Sequence, residues 1–241
     1  MTTVQPSLWA TSSIYTRHTR QKIAIFCDFD GTITRVDLTD AVLEAFALPI
    51  FKDWEGRWRT GTIGSQECLT RQTELIQADP SALIQLARNF PIDEGIFELD
   101  RRCTVNHAPL TILSDGFDLL IQAILQQHKL THIPVFANRL KHKGDRKFSL
   151  AFPHARHSCL ARAGTCKCAI VLTPSSPPST IVYIGDGLSD CCVATRASKV
   201  FAKSALLAWC QKHQIPCEPF STLTEVAHRL FPEPPSNERT I

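Results

Sequence analysis

The chain has 241 residues, and its 26 Lys and Arg against 23 Asp and Glu leave a formal charge of +3, too even a balance to announce a nucleic acid or a membrane surface as partner. With 44% hydrophobic and 20% charged residues, the composition excludes a disordered, collagenous or fibrous chain and suits one large domain, or a domain carrying a smaller insert. No run approaches the ~18 consecutive apolar residues of a membrane helix and the first twenty residues lack the apolar stretch of a secretory signal, so the ten cysteines are expected as reduced thiols and the protein in the cytoplasm.

In chain order, residues 1–27 contain no Asp or Glu and are rich in Ser, Thr and Arg. An organelle transit peptide has this composition, but residues 1–20 are read as a flexible extension. Residues 22–27 form a short apolar run closed by Asp30-Gly31, the pattern of a buried parallel strand. Runs at 110–113, before Ser114-Asp115-Gly116, at 133–136, and at 181–184, before Gly185-Asp186-Gly187, have the same character. Polar residues gathered at strand ends, with helical stretches between them, describe an open α/β sheet.

From Thr34 to about Asp100 no strand signal appears, while apolar residues recur at helical spacing over 38–47, 63–76 and 81–90, with Asp79-Pro80 as N-cap and N1. Ordinary βα loops take ~2–6 residues, so residues 35–100 are expected as a separate helical lid. Residues 136–152 alternate around Lys143-Gly144-Asp145 and predict a hairpin. Residues 174–179 read as a loop and 232–241 as a loose tail.

Asp28 and Asp30, two apart and followed by Gly31 and Thr32, can bring two carboxylates to one crevice, tolerable if a cation neutralises one and the other keeps a proton. Alone, the pair could be turn chemistry. Ser114, Lys167, Asp186 and Asp190 add, in order, a hydroxyl, an ammonium and two carboxylates, the parts needed to bind a phosphoryl group and a hard cation.

Asp28-Phe29-Asp30-Gly31-Thr32, Ser114, Lys167 and Gly185-Asp186 through Asp190 resemble the four motifs of the haloacid-dehalogenase-like phosphohydrolases, over roughly residues 22–230. The insert resembles the cap of the branch that holds the phosphoserine phosphatases, and Phe136-Ala137-Asn138-Arg139-Leu140 is similar to a stretch found there. The segment from His154 to Cys168 and Phe201-Ala202-Lys203 are similar to the methionine-salvage phosphatases acting on 2-hydroxy-3-keto-5-methylthiopentenyl phosphate. The resemblance implies an α/β, Rossmann-like open parallel sheet core (residues 21–34 and 101–231) with an inserted helical cap (35–100). It further implies Asp28 as nucleophile and Asp30 as general acid and base. A Mg²⁺ ion would be held by Asp28, Asp30 through its carbonyl, and Asp186, with Asp190 in support, while Ser114 and Lys167 grip the phosphate of a small-molecule ester.

Some residues depart from that pattern. Asp115 stands before Gly116 where phosphoserine phosphatases usually have glycine, and would put a further carboxylate at the substrate. The cap acid falls on Asp37, but the cap arginine that would grip a serine carboxylate aligns with Thr70, leaving Arg71 as a substitute; phosphoserine is therefore the alternative substrate. His154, His157, Cys159, Cys166 and Cys168 are zinc-type ligands without a standard finger spacing, and are read as a reduced loop. Cys191 and Cys192 are expected as buried thiols, and Phe51, Trp54 and Trp58 as core rather than pocket. A phosphoacceptor signalling domain, the rival class, needs neither Asp30 nor a lid; an idle ligand-binding module is the third reading.

Overall fold

The computed structural model describes residues 23–159, 161–173 and 180–233. The expected extension at 1–20, the loop at 174–179 and most of the expected tail, 234–241, lie outside the described residues.

Among the described residues, seven strands form one sheet in the order β4-β3-β2-β1-β5-β6-β7, parallel except for β4. They are β1 (Ile23–Cys27), β2 (Leu110–Phe117), β3 (Val135–His142), β4 (Phe148–Ala151), β5 (Thr180–Gly185), β6 (Lys199–Ala202) and β7 (Glu218–Pro219). Side chains alternate across the sheet: Ile25 and Cys27 enter one apolar cluster and Phe26 the other, as do Val182 and Ile184 against Tyr183. Both faces are therefore covered, which is why the central strands read as unbroken apolar runs. From β1 the chain winds outward through β2 and β3, then returns to β5 on β1's other side. The crevice at the carboxyl ends of β1 and β5 is thus the topological switch point, where open α/β sheets bind their ligands.

The larger cluster holds the buried sides of α5 (Gly95–Val105), α6 (Asp118–Gln127) and α10 (Leu223–Leu230); the smaller holds those of α7 (Lys167–Val171), α8 (Cys191–Ala194) and α9 (Ser204–Lys212). Between β1 and α5 lie α1 (Leu38–Phe46), α2 (Phe51–Arg59), α3 (Ser65–Thr73) and α4 (Pro80–Arg88). Helix α4 packs on α6, α2 on α3, and α3 on β4, while α5 packs on α10. No helix among the described residues is long and apolar enough to cross a membrane.

Several expectations need adjustment. Strand β2 does not stop at Ser114 but runs to Phe117 with a register irregularity after Leu113, a bulge that re-aims the residues in between. Pro80 is the first residue of α4, yet the Asp79 carboxylate makes no capping bond and pairs with Arg146 at 3.3 Å. The hairpin, by contrast, forms where expected, β3 turning into β4 around Lys143-Gly144-Asp145, with Gly144, Asp145 and Arg146 all at positive φ. Strands β6 and β7 were not anticipated, because four and two residues are too short to carry a periodic signal. Cys191 and Cys192 are half-buried rather than buried.

Candidate active site

Strand β1 delivers Asp28 into the crevice, with its backbone N–H donating to the Ile184 carbonyl of β5 at 2.8 Å. The chain then turns tightly: the N–H groups of Thr32, Ile33 and Thr34 all point at the Phe29 carbonyl, and Gly31 sits at φ +71°. A Cβ there would lie 2.4 Å from Asp186 Oδ2, so glycine is required both by conformation and by the closeness of the β5 loop. Thr32 Oγ1 donates to Asp186 Oδ1 at 2.8 Å and ties the two loops together.

Lys167, the first residue of α7, is 3% exposed and places its ammonium 2.8 Å from Asp28 Oδ1 and 2.6 Å from Asp190 Oδ1. Burial pulls its pKa down, but Asp190 and Asp28 more than reverse this and hold the ammonium above its usual range. Asp190, fully buried, also accepts the Tyr183 hydroxyl and, on Oδ2, the N–H groups of Asp186 and Gly187 at 3.1 Å each. Burial, reinforced by Asp190, pushes Asp28 well above the usual carboxylate range against the pull of Lys167. Asp186 is raised to about 6 by burial, with Thr32 opposing.

Asp30 lines the same cavity but is held by other partners. Its Oδ1 accepts the Leu38 N–H at the start of α1 at 3.0 Å, and its Oδ2 the Ser114 hydroxyl at 3.0 Å. Burial raises its pKa, while these hydrogen bonds act the other way. The Gly116 N–H donates to Ser114 Oγ, and a Cβ on Gly116 would meet Asp30 Oδ2 at 2.4 Å.

Oxygen atoms of Asp28, Asp186 and Asp190 lie within 4.8 Å of one another. Three carboxylates against one ammonium leave negative charge in a buried place, and hard oxygen donors are what Mg²⁺ takes. No hydrogen bond from a described residue reaches Asp28 Oδ2 or Asp186 Oδ2. The donor set therefore fits a divalent cation.

A cavity of about 250 Å³ rises from these residues into helices α1 to α3. Asp28, Asp30, Asp115, Gly116, Asp186 and Ser189 form its floor; Asp37, Asp40, Glu55, Trp58, Arg59, Cys68, Leu69 and Gln72 line the helical side. Asp37 caps α1 by accepting the Asp40 N–H at 2.9 Å. Asp40 is raised to about 6 by partial burial and then by Glu55, and Glu55 pairs with Arg59 at 2.9 Å. Asp115 lines the floor, but its carboxylate is engaged by Ser65, Asn138 and Thr165.

Ser114, Asp115, Gly116, Asp186 and Asp190 thus meet Asp28, Asp30 and Lys167 at one crevice, with Asp37 at its rim. Arg71 does not join them: it lies over the Trp54 ring and 3.9 Å from Glu74, and neither it nor Thr70 lines the cavity. Of the three aromatics, Phe51 is core and Trp58 lines the cavity, while Trp54 carries Arg57 and Arg71 on its face. The thiols of the 154–168 segment join no group of three close ligand atoms; the Asp28, Asp186 and Asp190 group is the one found among the described residues, and Cys168 instead meets Cys192 at 2.6 Å. Sequence reasoning missed Tyr183, Thr32, Asp40, Glu55 and Arg59. Only Thr32 carried a signal, its place beside the motif glycine.

Residues 25–195 match the family of haloacid dehalogenase-like hydrolases. A 2-hydroxy-3-keto-5-methylthiopentenyl-1-phosphate phosphatase of Brevibacillus brevis is 31% identical over 87% of this chain and 96% of its own, and one of Bacillus cereus is 26% identical over 86% and 95%. Among solved structures, a phospho-aspartyl intermediate analogue of phosphoserine phosphatase is similar with a TM-score of 0.64 and 18% identity, covering 87% of this chain and 99% of that one. Phosphoserine phosphatase from T. onnurineus is similar with a TM-score of 0.65 and 14% identity, over 90% and 98%. These two likenesses speak for the fold. With the family match covering most of the chain and the Brevibacillus relative covering nearly all of both, the chain belongs to the haloacid dehalogenase-like hydrolases.

Proposed function

We propose that the chain is a magnesium-dependent phosphomonoesterase of the cytoplasm, acting on a small phosphorylated metabolite through a phosphorylated Asp28. The observation that carries this reading is the arrangement of Asp28, which lines the cavity with Oδ1 held by Lys167 and the Phe29 N–H, while no hydrogen bond from a described residue reaches Oδ2. Oδ2 attacks phosphorus as the bond to the leaving oxygen breaks, and Asp30 gives that oxygen its proton. Asp30 then takes a proton from the water that hydrolyses the acyl phosphate. Ser114 and Lys167 hold phosphoryl oxygens, and Asp190 keeps Lys167 and the Gly185–Gly187 turn in place through its bonds to both. Asp28, Asp186 and the Asp30 carbonyl would hold a Mg²⁺ ion, whose charge would offset that of the phosphate when bound.

The helices of the 35–100 insert serve as the cap, closing over the leaving group and excluding water. For the substrate's organic part, a methionine-salvage keto-phosphate fits better than phosphoserine. Arg59, already paired with Glu55, is the one cation among the described residues of the cavity's helical wall, beside Asp37, Asp40 and Glu55, so a substrate carboxylate would be poorly compensated. Trp58, Leu69 and Cys68 offer apolar contact to a thioether chain. The names of the relatives support the same choice.

The test is Asp28→Asn, which removes the nucleophile without changing shape. Turnover of p-nitrophenyl phosphate with Mg²⁺ should fall by about 10⁴-fold or more at an unchanged melting profile. Near-normal turnover in that variant, or undiminished activity of the parent after exhaustive chelation, would overturn the mechanism. Tenfold or greater preference for phosphoserine over the keto-phosphate in kcat/KM would overturn the substrate choice.

A further inference from the structure

The carboxylate of Asp115 is the meeting point of three segments far apart in the chain. Its Oδ2 accepts the hydroxyl of Ser65, the first residue of α3, at 2.6 Å. Its Oδ1 accepts the Thr165 N–H at 2.7 Å and the Asn138 amide at 3.1 Å, and the Asn138 amide also reaches the Asp115 backbone carbonyl at 2.6 Å. Asn138 is fully buried on β3 and takes the Thr165 hydroxyl on its Oδ1 at 3.2 Å. Hydrogen bonds to an ionised acceptor are roughly twice as strong as neutral ones.

Close packing accompanies these bonds. A Cβ on Gly64 would lie 2.4 Å from the Arg162 Cβ, and one on Gly164 would lie 2.7 Å from both Asn138 Oδ1 and a Phe152 ring carbon. The Gln66 N–H donates to the Arg162 carbonyl at 3.1 Å, and the Gly164 N–H reaches Ser65 Oγ at 3.4 Å. The start of α3 is therefore pressed onto the stretch that leads, two residues after Thr165, to Lys167. Ser65, Cys68, Leu69 and Gln72 recur at helical spacing, so the end fixed by Ser65 sets the position of the side of α3 that lines the cavity.

We propose that Asp115 is a positioning residue that latches the cap to the lysine-bearing segment, with Ser65 as the cap's half of the latch. This rests on the phosphatase reading and deepens it: one carboxylate makes closure of α3 over the leaving group and placement of Lys167 at the phosphate parts of the same event. Ser65 carries only the first of these functions, whereas Asp115 carries both. Losing the latch lowers the fraction of molecules in the closed state, and apparent affinity for any ester whose leaving group needs the cap falls by that fraction. The Asp28, Asp30 and Lys167 groups stay in place when only Ser65 is changed.

The test compares Ser65→Ala, Asp115→Asn and Asp115→Ala in the full chain, by kinetics and by amide hydrogen exchange. For p-nitrophenyl phosphate, whose ring must lie against α3, Ser65→Ala should raise KM by roughly fivefold to tenfold with kcat changed less than about twofold. Acetyl phosphate, too small to reach the cap, should keep its KM within about twofold. Exchange should quicken in residues 65–73 and at Gly164, whose N–H loses the Ser65 hydroxyl, but not in 165–167. Asp115→Ala should quicken exchange in both segments and lower kcat as well; Asp115→Asn, which turns an amide N–H₂ toward donors, should do the same more weakly. Unchanged KM and unchanged α3 exchange in Ser65→Ala would overturn the latch, as would a fall in kcat at constant KM. Failure of the parent protein to hydrolyse either ester with Mg²⁺ would count against the phosphatase reading instead, and the exchange measurements would still decide the latch.

Discussion

The floor of the cavity and its helical wall are both acidic, but they hold their charges differently. On the floor, Asp190 takes four donors, and Lys167, 3% exposed, answers two carboxylates at under 3 Å. On the wall, Asp37, Asp40 and Glu55 face one arginine whose side chain is 64% exposed. Buried, saturated charge is rigid and costly to alter, while half-exposed charge is loosely held and cheap to change. The floor meets what every phosphate ester shares; the wall meets what differs between esters.

The largest effect should come from breaking the floor. Lys167→Met leaves Asp28 and Asp190 buried without their cation, and should cost about 3–5 kcal/mol of stability together with all measurable turnover. Denaturant melts and initial rates test both, and a stable, active variant would show that the ammonium is dispensable. Next comes Gly31→Ala, which forces a Cβ into a left-handed position costing roughly 1–2 kcal/mol and against Asp186. It should cut kcat by about tenfold or more while KM for phosphate esters moves little.

On the wall, Asp40 gives a pH signature. Its pKa near 6 lies above that of a free aspartate, so between about pH 4 and 6 the folded state binds more protons than the unfolded state. Stability should therefore fall as pH rises through that window, and Asp40→Asn should gain about 1 kcal/mol above it and nothing below. Thermal melts at about pH 3.5 and 7.5, on either side of the window, measure this, and an equal shift at both values would mean that the carboxylate is not penalised. The smallest effect should be Arg71→Ala. Because Arg71 lies on Trp54 outside the cavity, the ratio of kcat/KM for keto-phosphate and phosphoserine should stay within about twofold.

Legibility in the sequence followed the same division. Asp28, Asp30 and Gly31 were visible because they are nearly consecutive and punctuate a strand, Lys167, Asp186 and Asp190 because they stand where a strand ends or a helix begins, and Ser114 because it closes an apolar run even though β2 continues past it to Phe117. Tyr183 was invisible, since on β5 it reads as one more apolar residue and only the fold brings Asp190 beneath it. Asp40, Glu55 and Arg59 sit on short amphipathic helices, where periodicity marks the buried side but not which polar residues face a neighbouring domain. Asp115 stood out as a departure from pattern, yet its partners Ser65, Asn138 and Thr165 come from three separate segments.

The strand order also bears on how the protein is made. Strand β1 emerges first among the described elements but lies between β2 and β5, and its pairing with β5 joins Ile23 to Thr180 and Cys27 to Ile184. During synthesis the strand bearing Asp28 must wait with one edge open until most of the chain has left the ribosome, because contacts of such high sequence separation form late. Until then Asp28 lacks Lys167, and the crevice that would bind a cation or a phosphate does not exist. Catalytic competence is thus a checkpoint on complete folding, and a chain stalled before β5 would expose an apolar strand edge without any capacity for chemistry.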